Sequence, residues 1–369
     1  MVSVSVFSQS ARHWRGRFIP WLCSALTALG GALLLVSNAH AAEIPYGVFS
    51  LTPPNKAVNS SILTNPSVAG VSVRGQWQGV EQVEGRYNWS YFDGQIPRVG
   101  KAGKKVLLRI ASGGKNTPQW VFDAGVQTFS FVDTNRYHDT YGQTVTIPVF
   151  WDSIFLTKKI NFIRAMGQHF AANPHIVLVT VSCANATTDD WNVPSQKNDV
   201  QNWKAIGYTS DKLVNACKKI IDATKAAFPK QVLTLAVNRS SNKLDPDPDY
   251  VARNVVKYAN AKYPGRFIVQ KNSLSPQIPD PSLISVLGGW QLIWDNQPDV
   301  AGQMLWYVTD DSSCRMNSGV KPCDPVTVLQ EAVRLGADYG MSYQEIYQPD
   351  ILNPALAGVI RYAADVLTP

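Results

Sequence analysis

Histidine is scarce in this chain, five among 369 residues, and its placement excludes several chemistries. His13 and His40 fall in the N-terminal segment, and His169 and His175 flank an expected helix-to-strand turn. Only His138 sits in an expected loop. A Ser-His-Asp hydrolase needs a placed histidine base, and the chain has no G-x-S-x-G elbow either. Its histidines and carboxylates assemble into no recognisable metal-ligand cluster, and no cysteine spacing suggests zinc. Neither G-x-G-x-x-G nor G-x-x-x-x-G-K-[ST] occurs, so no nucleotide cofactor is expected. Basic clusters are missing too. The net charge is +7, and Arg12, Arg15 and Arg17 at the N-terminus supply three of it, leaving about +4 spread over the rest. So dilute a charge argues against nucleic acid or an anionic membrane surface as partner. No long low-complexity segment or internal repeat appears, and oligomeric state is left open.

Those three arginines precede an apolar run from Phe18 to Val36 and then Ala39-His40-Ala41. This order is that of a secretory signal peptide over residues 1–41, which predicts a secreted or periplasmic protein with no membrane attachment after cleavage. The alternative is an uncleaved anchor, since the run approaches a bilayer span of ~20 residues. Four cysteines follow. Cys314 and Cys323 flank a polar loop containing Gly and Pro, and a local disulfide is expected there. Cys183 and Cys217 either pair or remain buried thiols.

Past the signal, short β-branched runs alternate with amphipathic stretches, the pattern of parallel strands covered by helices. Strands are predicted at Tyr46–Ser50, Val68–Gly75, Val106–Ser112, Ile176–Asn185, Val232–Asn238, Phe267–Leu274, Gln303–Thr309 and Tyr339–Tyr347. Several are almost continuously apolar, as strands buried on both faces are. Asp324-Pro325 reads as a helix start and Gly336 as its end, while Asn353-Pro354 opens the last helix. Eight strands without an interdomain linker predict a single-domain α/β fold, a (β/α)₈ TIM barrel over residues 42–369. Pro118–Ile147 breaks the rhythm and is expected to form an excursion over the C-terminal face.

In a barrel the active site lies where strands end, and the residues there are carboxylates, tryptophans and amides. Hydrolysis of a glycosidic bond needs two carboxyl groups facing it, one protonated and one ionised. Asp190 is the first candidate for the acid/base, with Asp189 its rival, because adjacent acids repel and one pKa rises. The plain alternative for either is a turn or helix-cap residue. Glu345 is the candidate second carboxylate; its plain alternative is an ion pair with Arg74 or Arg109 in the barrel mouth. Asp295, Asp310 and Asp311 are held in reserve. Trp77, Trp120, Trp151, Trp191 and Trp306 are candidate sugar platforms, each of which could equally be packing. Arg74, Asn185, Asn238, Gln344 and Tyr347 complete the expected substrate-binding set.

Val68 through Trp77 (VAGVSVRGQW), then Glu81, Gly85-Arg86-Tyr87-Asn88-Trp89 and Phe92-Asp93, resemble the early segment of β-galactosidase-like barrel glycosidases. Gly103 to Arg109, Thr117-Pro118-Gln119-Trp120-Val121, Pro148 to Asp152, and Gly336 through Asp350 continue the likeness. The resemblance implies a retaining hydrolase with two glutamates, the acid/base after the fourth strand and commonly preceded by Asn. Here Asn185 is followed by Ala186. Either Asp190, within Asp-Asp-Trp-Asn-Val-Pro, replaces that glutamate or acid catalysis is lost. The expected function is therefore a secreted glycosidase using Asp190 and Glu345 on an oligo- or polysaccharide. A non-catalytic carbohydrate-binding barrel is the alternative, and a lyase or transglycosylase a third class.

Overall fold

The computed structural model describes residues 43–369 except Asp189, Lys197, Ser241 and Asn242. The expected signal peptide and Asp189 lie outside the described residues. Among the described residues there are ten strands: β1 (Gly47–Leu51), β2 (Val68–Gln76), β3 (Lys105–Ala111), β4 (Thr128–Val132), β5 (Thr144–Pro148), β6 (Ile176–Thr180), β7 (Val232–Ala236), β8 (Phe267–Leu274), β9 (Val300–Met304) and β10 (Tyr343–Tyr347). Eight of them close into a parallel barrel in the order β1-β10-β9-β8-β7-β6-β3-β2, with helices between successive strands. This is the expected (β/α)₈ architecture. The remaining two, β4 and β5, form an antiparallel hairpin within the expected excursion.

Barrel strands alternate between the interior and the surrounding helices, and position along the strand sets the layer. Phe49, Leu107, Leu178, Val232, Ile268, Ala301 and Tyr343 form one apolar cluster plugging the interior. Two residues farther along β3, β7, β8, β9 and β10 stand Arg109, Thr234, Gln270, Gln303 and Glu345, all buried. The Tyr343 hydroxyl joins the two layers, hydrogen-bonded to Gln270 Oε1 at 2.7 Å and to the Thr234 hydroxyl at 2.9 Å. A further step of two reaches Asn272, Leu305 and Tyr347, which line the mouth. An apolar plug, a polar layer and a mouth thus succeed one another along the axis.

The strand boundaries shift where tertiary packing overrides local pattern. Expected strand Gln303–Thr309 is β9 at Val300–Met304, and its aromatic continuation Trp306-Tyr307 lies beyond the ladder. Buried Asp350 holds that continuation: its carboxylate accepts the backbone N–H of Val308 at 3.0 Å and of Thr309 at 2.8 Å. Expected strand Ile176–Asn185 stops at Thr180, because the chain leaves the ladder although Val181, Cys183 and Ala184 stay buried. Gly336 does not end a helix. The helix Pro325–Asp338, capped by the Asp324 carboxylate on Thr327 N at 2.8 Å, runs through it. A Cβ at Gly336 would lie 2.3 Å from Gln344 Nε2, so glycine lets the helix close onto β10.

Cys314 and Cys323 are joined in a disulfide with Cα atoms 5.9 Å apart. Cys183 and Cys217 are buried free thiols, and burial raises the Cys217 pKa. Among the described residues no helix is long and apolar enough to cross a membrane.

Candidate active site

A cleft of about 670 Å³ opens at the barrel mouth. Its floor comes from the ends of β8, β9 and β10, and its walls from the loop after β6, the hairpin tip and the loop carrying Arg315. Of the residues expected from sequence, Arg74, Asp190, Trp191, Asn238, Trp306 and Tyr347 all line it.

Asp190 is placed by its loop. Asn192 ties the turn together: its Oδ1 accepts Ala186 N at 2.9 Å, while its Nδ2 donates to Thr188 Oγ1 at 2.9 Å and to Asp190 O at 3.0 Å. The Asp190 carboxylate accepts from Asn272 Nδ2 across the cleft floor. The same loop is clamped from behind by the turn after β3, where Lys115 N donates to Ala186 O at 2.9 Å. Gly114 adopts φ +53°, and a Cβ there would lie 2.0 Å from that carbonyl oxygen, so the clamp requires glycine.

Glu345 occupies the polar layer beneath the floor, wholly buried, and does not line the cleft. Its Oε1 accepts from Ser72 Oγ, and its Oε2 accepts from Arg109 Nη2 and from Gln270 Nε2 at 2.6 Å. Arg109 also donates to Gln303 Oε1 at 2.9 Å. The ion pair with Arg109 is the plain alternative considered from sequence, and it is fully realised. Gln270 Nε2 donates to Asn272 Oδ1 at 2.7 Å as well. A path of three hydrogen bonds through two amides therefore joins Glu345 to Asp190. Three bonds of ~3 Å and one amide width limit the carboxylates to roughly 10 Å apart, a limit that includes the separations of retaining and inverting glycosidases, about 5–5.5 Å and 6.5–9.5 Å.

Five further expectations are corrected by packing. Trp77 is fully buried, stacked on Phe162 with centroids 5.1 Å apart, and its Nε1 donates to Glu81 at 2.7 Å. Trp120 packs edge-on against Trp77 at 5.9 Å and donates to the Glu81 carbonyl at 2.8 Å. Trp151 packs on Trp203 at 5.4 Å and on Tyr208 at 5.5 Å, outside the cleft. Asn185 is buried behind the Asp190 loop, accepting from Ser182 Oγ at 2.8 Å. Gln344 points out of the barrel, donating to Val333 O at 3.0 Å on the neighbouring helix. Alternation on β10 forbids Gln344 and Glu345 from sharing a face. Two of the reserve acids serve local structure: Asp311 accepts Arg315 N at 2.7 Å within its loop, and Asp295, at the end of the helix Gln291–Trp294, accepts from Gln291 Nε2 at 2.8 Å.

Several cleft residues escaped the sequence reading. Asp133 on the hairpin accepts from Thr140 Oγ1 at 2.6 Å and pairs with His138 at 2.8 Å; the hydrogen bonds from Thr140, Asn135 and His138 outweigh burial and lower its pKa. Tyr137 reaches the cleft from the expected excursion Pro118–Ile147, and Arg315 from the disulfide loop, where no local signature marked it. Lys271, buried between Gln270 and Asn272 on β8, donates from Nζ to the cleft residue Asn238 Oδ1 at 2.9 Å, and burial pulls its pKa down to about 8. Burial likewise pushes the Tyr347 hydroxyl up to about 12, with Asp190 adding to the shift and Arg74 and Arg315 opposing it. One phenol thus feels Asp190 and both arginines. Among the described residues no group of three or more His, Cys, Asp or Glu is placed to hold a metal ion.

A family profile described as β-galactosidase matches residues 61–219. A curated β-galactosidase from Bifidobacterium bifidum is 28% identical over 116 residues, which are 29% of this chain and 15% of that protein. The fold is similar to the catalytic domain of a β-amylase from Paenibacillus polymyxa, with TM-score 0.57 and 11% identity over 88% of this chain and 99% of that one. It is also similar to a β-galactosidase from the psychrophilic Marinomonas ef1, with TM-score 0.54 and 11% identity over 86% of this chain and 59% of that one. At such identity these structures speak to fold alone. The chain spans only a small part of the length of the curated relative it matches.

Proposed function

We infer that the chain, which is similar over residues 61–219 to a β-galactosidase family of glycoside hydrolases and shares the (β/α)₈-barrel fold, hydrolyses a glycosidic bond of an oligo- or polysaccharide bound in the cleft at the barrel mouth. The supporting observation is Asp190, a carboxyl group on the wall of a cleft also lined by Trp306, Asn238 and Tyr347, whereas Trp191, expected as a sugar platform, is buried in the core with no free face. Flat rings offer stacking surface to sugar faces, and amides and hydroxyls suit sugar hydroxyls. Asp190 serves as the acid that protonates the glycosidic oxygen. Glu345 is its partner at one remove, orienting Gln270, which orients Asn272, which holds Asp190. The protein acts outside the cytoplasm once residues 1–41 are removed, a reading supported by the N-terminal residue order and compatible with the Cys314–Cys323 disulfide.

A second reading, a carbohydrate-binding barrel without turnover, has one observation in its favour. Of the two expected carboxylates only Asp190 borders the cleft, and Asn185 precedes Ala186. Digestion of a panel of polysaccharides by the mature protein, with products resolved by mass, separates the two. Hydrolysis of one glycan, lowered about 10²–10⁴-fold in folded Asp190→Asn, is the expected result. Glycan binding without cleavage by the parental protein supports the second reading, and parental rates in Asp190→Asn would remove Asp190 from the mechanism.

A further inference from the structure

We propose that the cleft is built for an acidic saccharide, one whose sugar carries a carboxylate that docks on Arg315; this rests on the glycan-cleft reading above. Arg315 follows Cys314 in the disulfide-closed loop and lines the cleft. Its guanidinium is held between two rings, with Cζ 3.8 Å from the centroid of Tyr137, off the hairpin tip, and 3.9 Å from that of Trp306, beyond β9. Two aromatic rings thus hold the guanidinium, and its N–H edge is left to be satisfied by other groups.

That edge is under-satisfied. Arg315 makes no salt bridge among the described residues, and its Nη1 is buried without a hydrogen-bond acceptor. The nearest carboxylate in its field, Asp311, spends its oxygens on backbone and Ser313 groups of the loop. The other cations of the mouth are differently engaged. Lys115 is paired with Asp139, and Arg74 Nη1 donates to Thr52 O at 3.2 Å. Rings attract a guanidinium but accept no directed hydrogen bonds, so the plane is fixed while its donors are kept for an anion. A planar fork held in this way suits a carboxylate, which it can meet through two parallel N–H···O bonds. A neutral hexose offers no group of that charge.

The site adjoins the proposed chemistry. Trp306 lies 5.8 Å from Tyr347, and the Tyr347 hydroxyl is within electrostatic reach of both Arg315 and Asp190. A uronic acid residue clamped at Arg315 would thus set the neighbouring glycosidic bond towards Asp190. Direct neutralisation of the substrate by Arg315 also lets an anionic sugar enter a mouth lined by Asp133, Asp139, Asp190 and Asp199.

The test compares uronate-containing oligosaccharides with the same oligosaccharides after reduction of their carboxyl groups to alcohols, measured by calorimetric binding and by product release. The mature wild-type protein is expected to prefer the acidic form about tenfold or more, with the preference shrinking as salt rises. In Arg315→Met, which keeps an apolar stem between the rings, the ratio of acidic to reduced affinity should fall to about one. Arg315→Lys, retaining charge without the fork, should fall between the two. Equal or tighter binding of the reduced form by wild type, or an unchanged ratio in folded Arg315→Met, overturns the proposal. Hydrolysis of neutral glycans alone would sink the acidic-sugar inference while leaving the glycosidase reading intact. Failure to bind either form, together with failure on the neutral panel, would sink both.

Discussion

Asp190 and Glu345 are three hydrogen bonds apart, yet their surroundings differ in kind. Asp190 sits on a loop at the cleft wall, where its carboxylate accepts from Asn272 and its backbone carbonyl from Asn192. Glu345 sits on a strand in the middle layer of the barrel, fully buried, with a guanidinium, a hydroxyl and an amide on its two oxygens. A carboxylate in the first setting can exchange protons with a ligand at little cost to the fold. In the second its charge is part of the fold, because removing one member of a buried pair strands the other in a low-dielectric interior.

The sharpest way to break this contrast is to neutralise each acid in turn. Glu345→Gln leaves Arg109 without its carboxylate and should lower stability by about 3–5 kcal/mol, whereas Asp190→Asn should stay within roughly 0.5 kcal/mol. Denaturant melts of the two variants compare them directly, and equal losses would erase the distinction. A smaller effect tests the amide path between them. Asn272→Ala removes the donor to Asp190 and the acceptor of Gln270, and is expected to reduce kcat about tenfold with KM little changed, at a stability cost of about 1 kcal/mol. A rise in KM with unchanged kcat would instead make Asn272 a sugar-binding group.

The smallest expected effect concerns Lys271, whose pKa in the folded protein is about 8 because it is buried. For a lysine depressed in this way, the cost of burying the charge is fully present below pH 8. It fades as pH rises from there towards the ordinary value near 10.5. Lys271→Met should therefore gain about 1 kcal/mol on the parental protein at pH 7, and the gain should shrink by pH 10. Urea melts at the two pH values check it, and a gain that grows with pH would contradict the assignment.

Local pattern carried most of the architecture. Short β-branched and apolar runs, several of them almost continuously apolar, marked seven of the eight barrel strands within a few residues, and Asp152, Asp324 and Asn353 cap the helical turns that follow them. The eighth, β9, was displaced because Trp306 and Tyr307 look like strand residues while Gly302, within the true strand, does not. At the site, loop residues after strands were legible as such. Arg74, Asp190, Asn238 and Trp306 were identified because polar and aromatic groups just past a strand in a barrel face the mouth. Trp77, Trp120 and Trp151 have the same local signature and went into the core instead, since an indole past a strand can turn towards the helices as readily as towards solvent.

By itself, then, the amino-acid order determined the alternation of strands and helices, the disulfide loop and the inventory of groups able to meet a sugar. Only the closed barrel decided which of them do. Closure turns a two-residue alternation into layers, so Glu345 falls in the buried middle layer, Gln344 outside and Tyr347 at the mouth. It also brings Tyr137, Trp306 and Arg315 together from three distant segments. No local pattern encodes such contacts, because they depend on where loops of different lengths end above a common sheet.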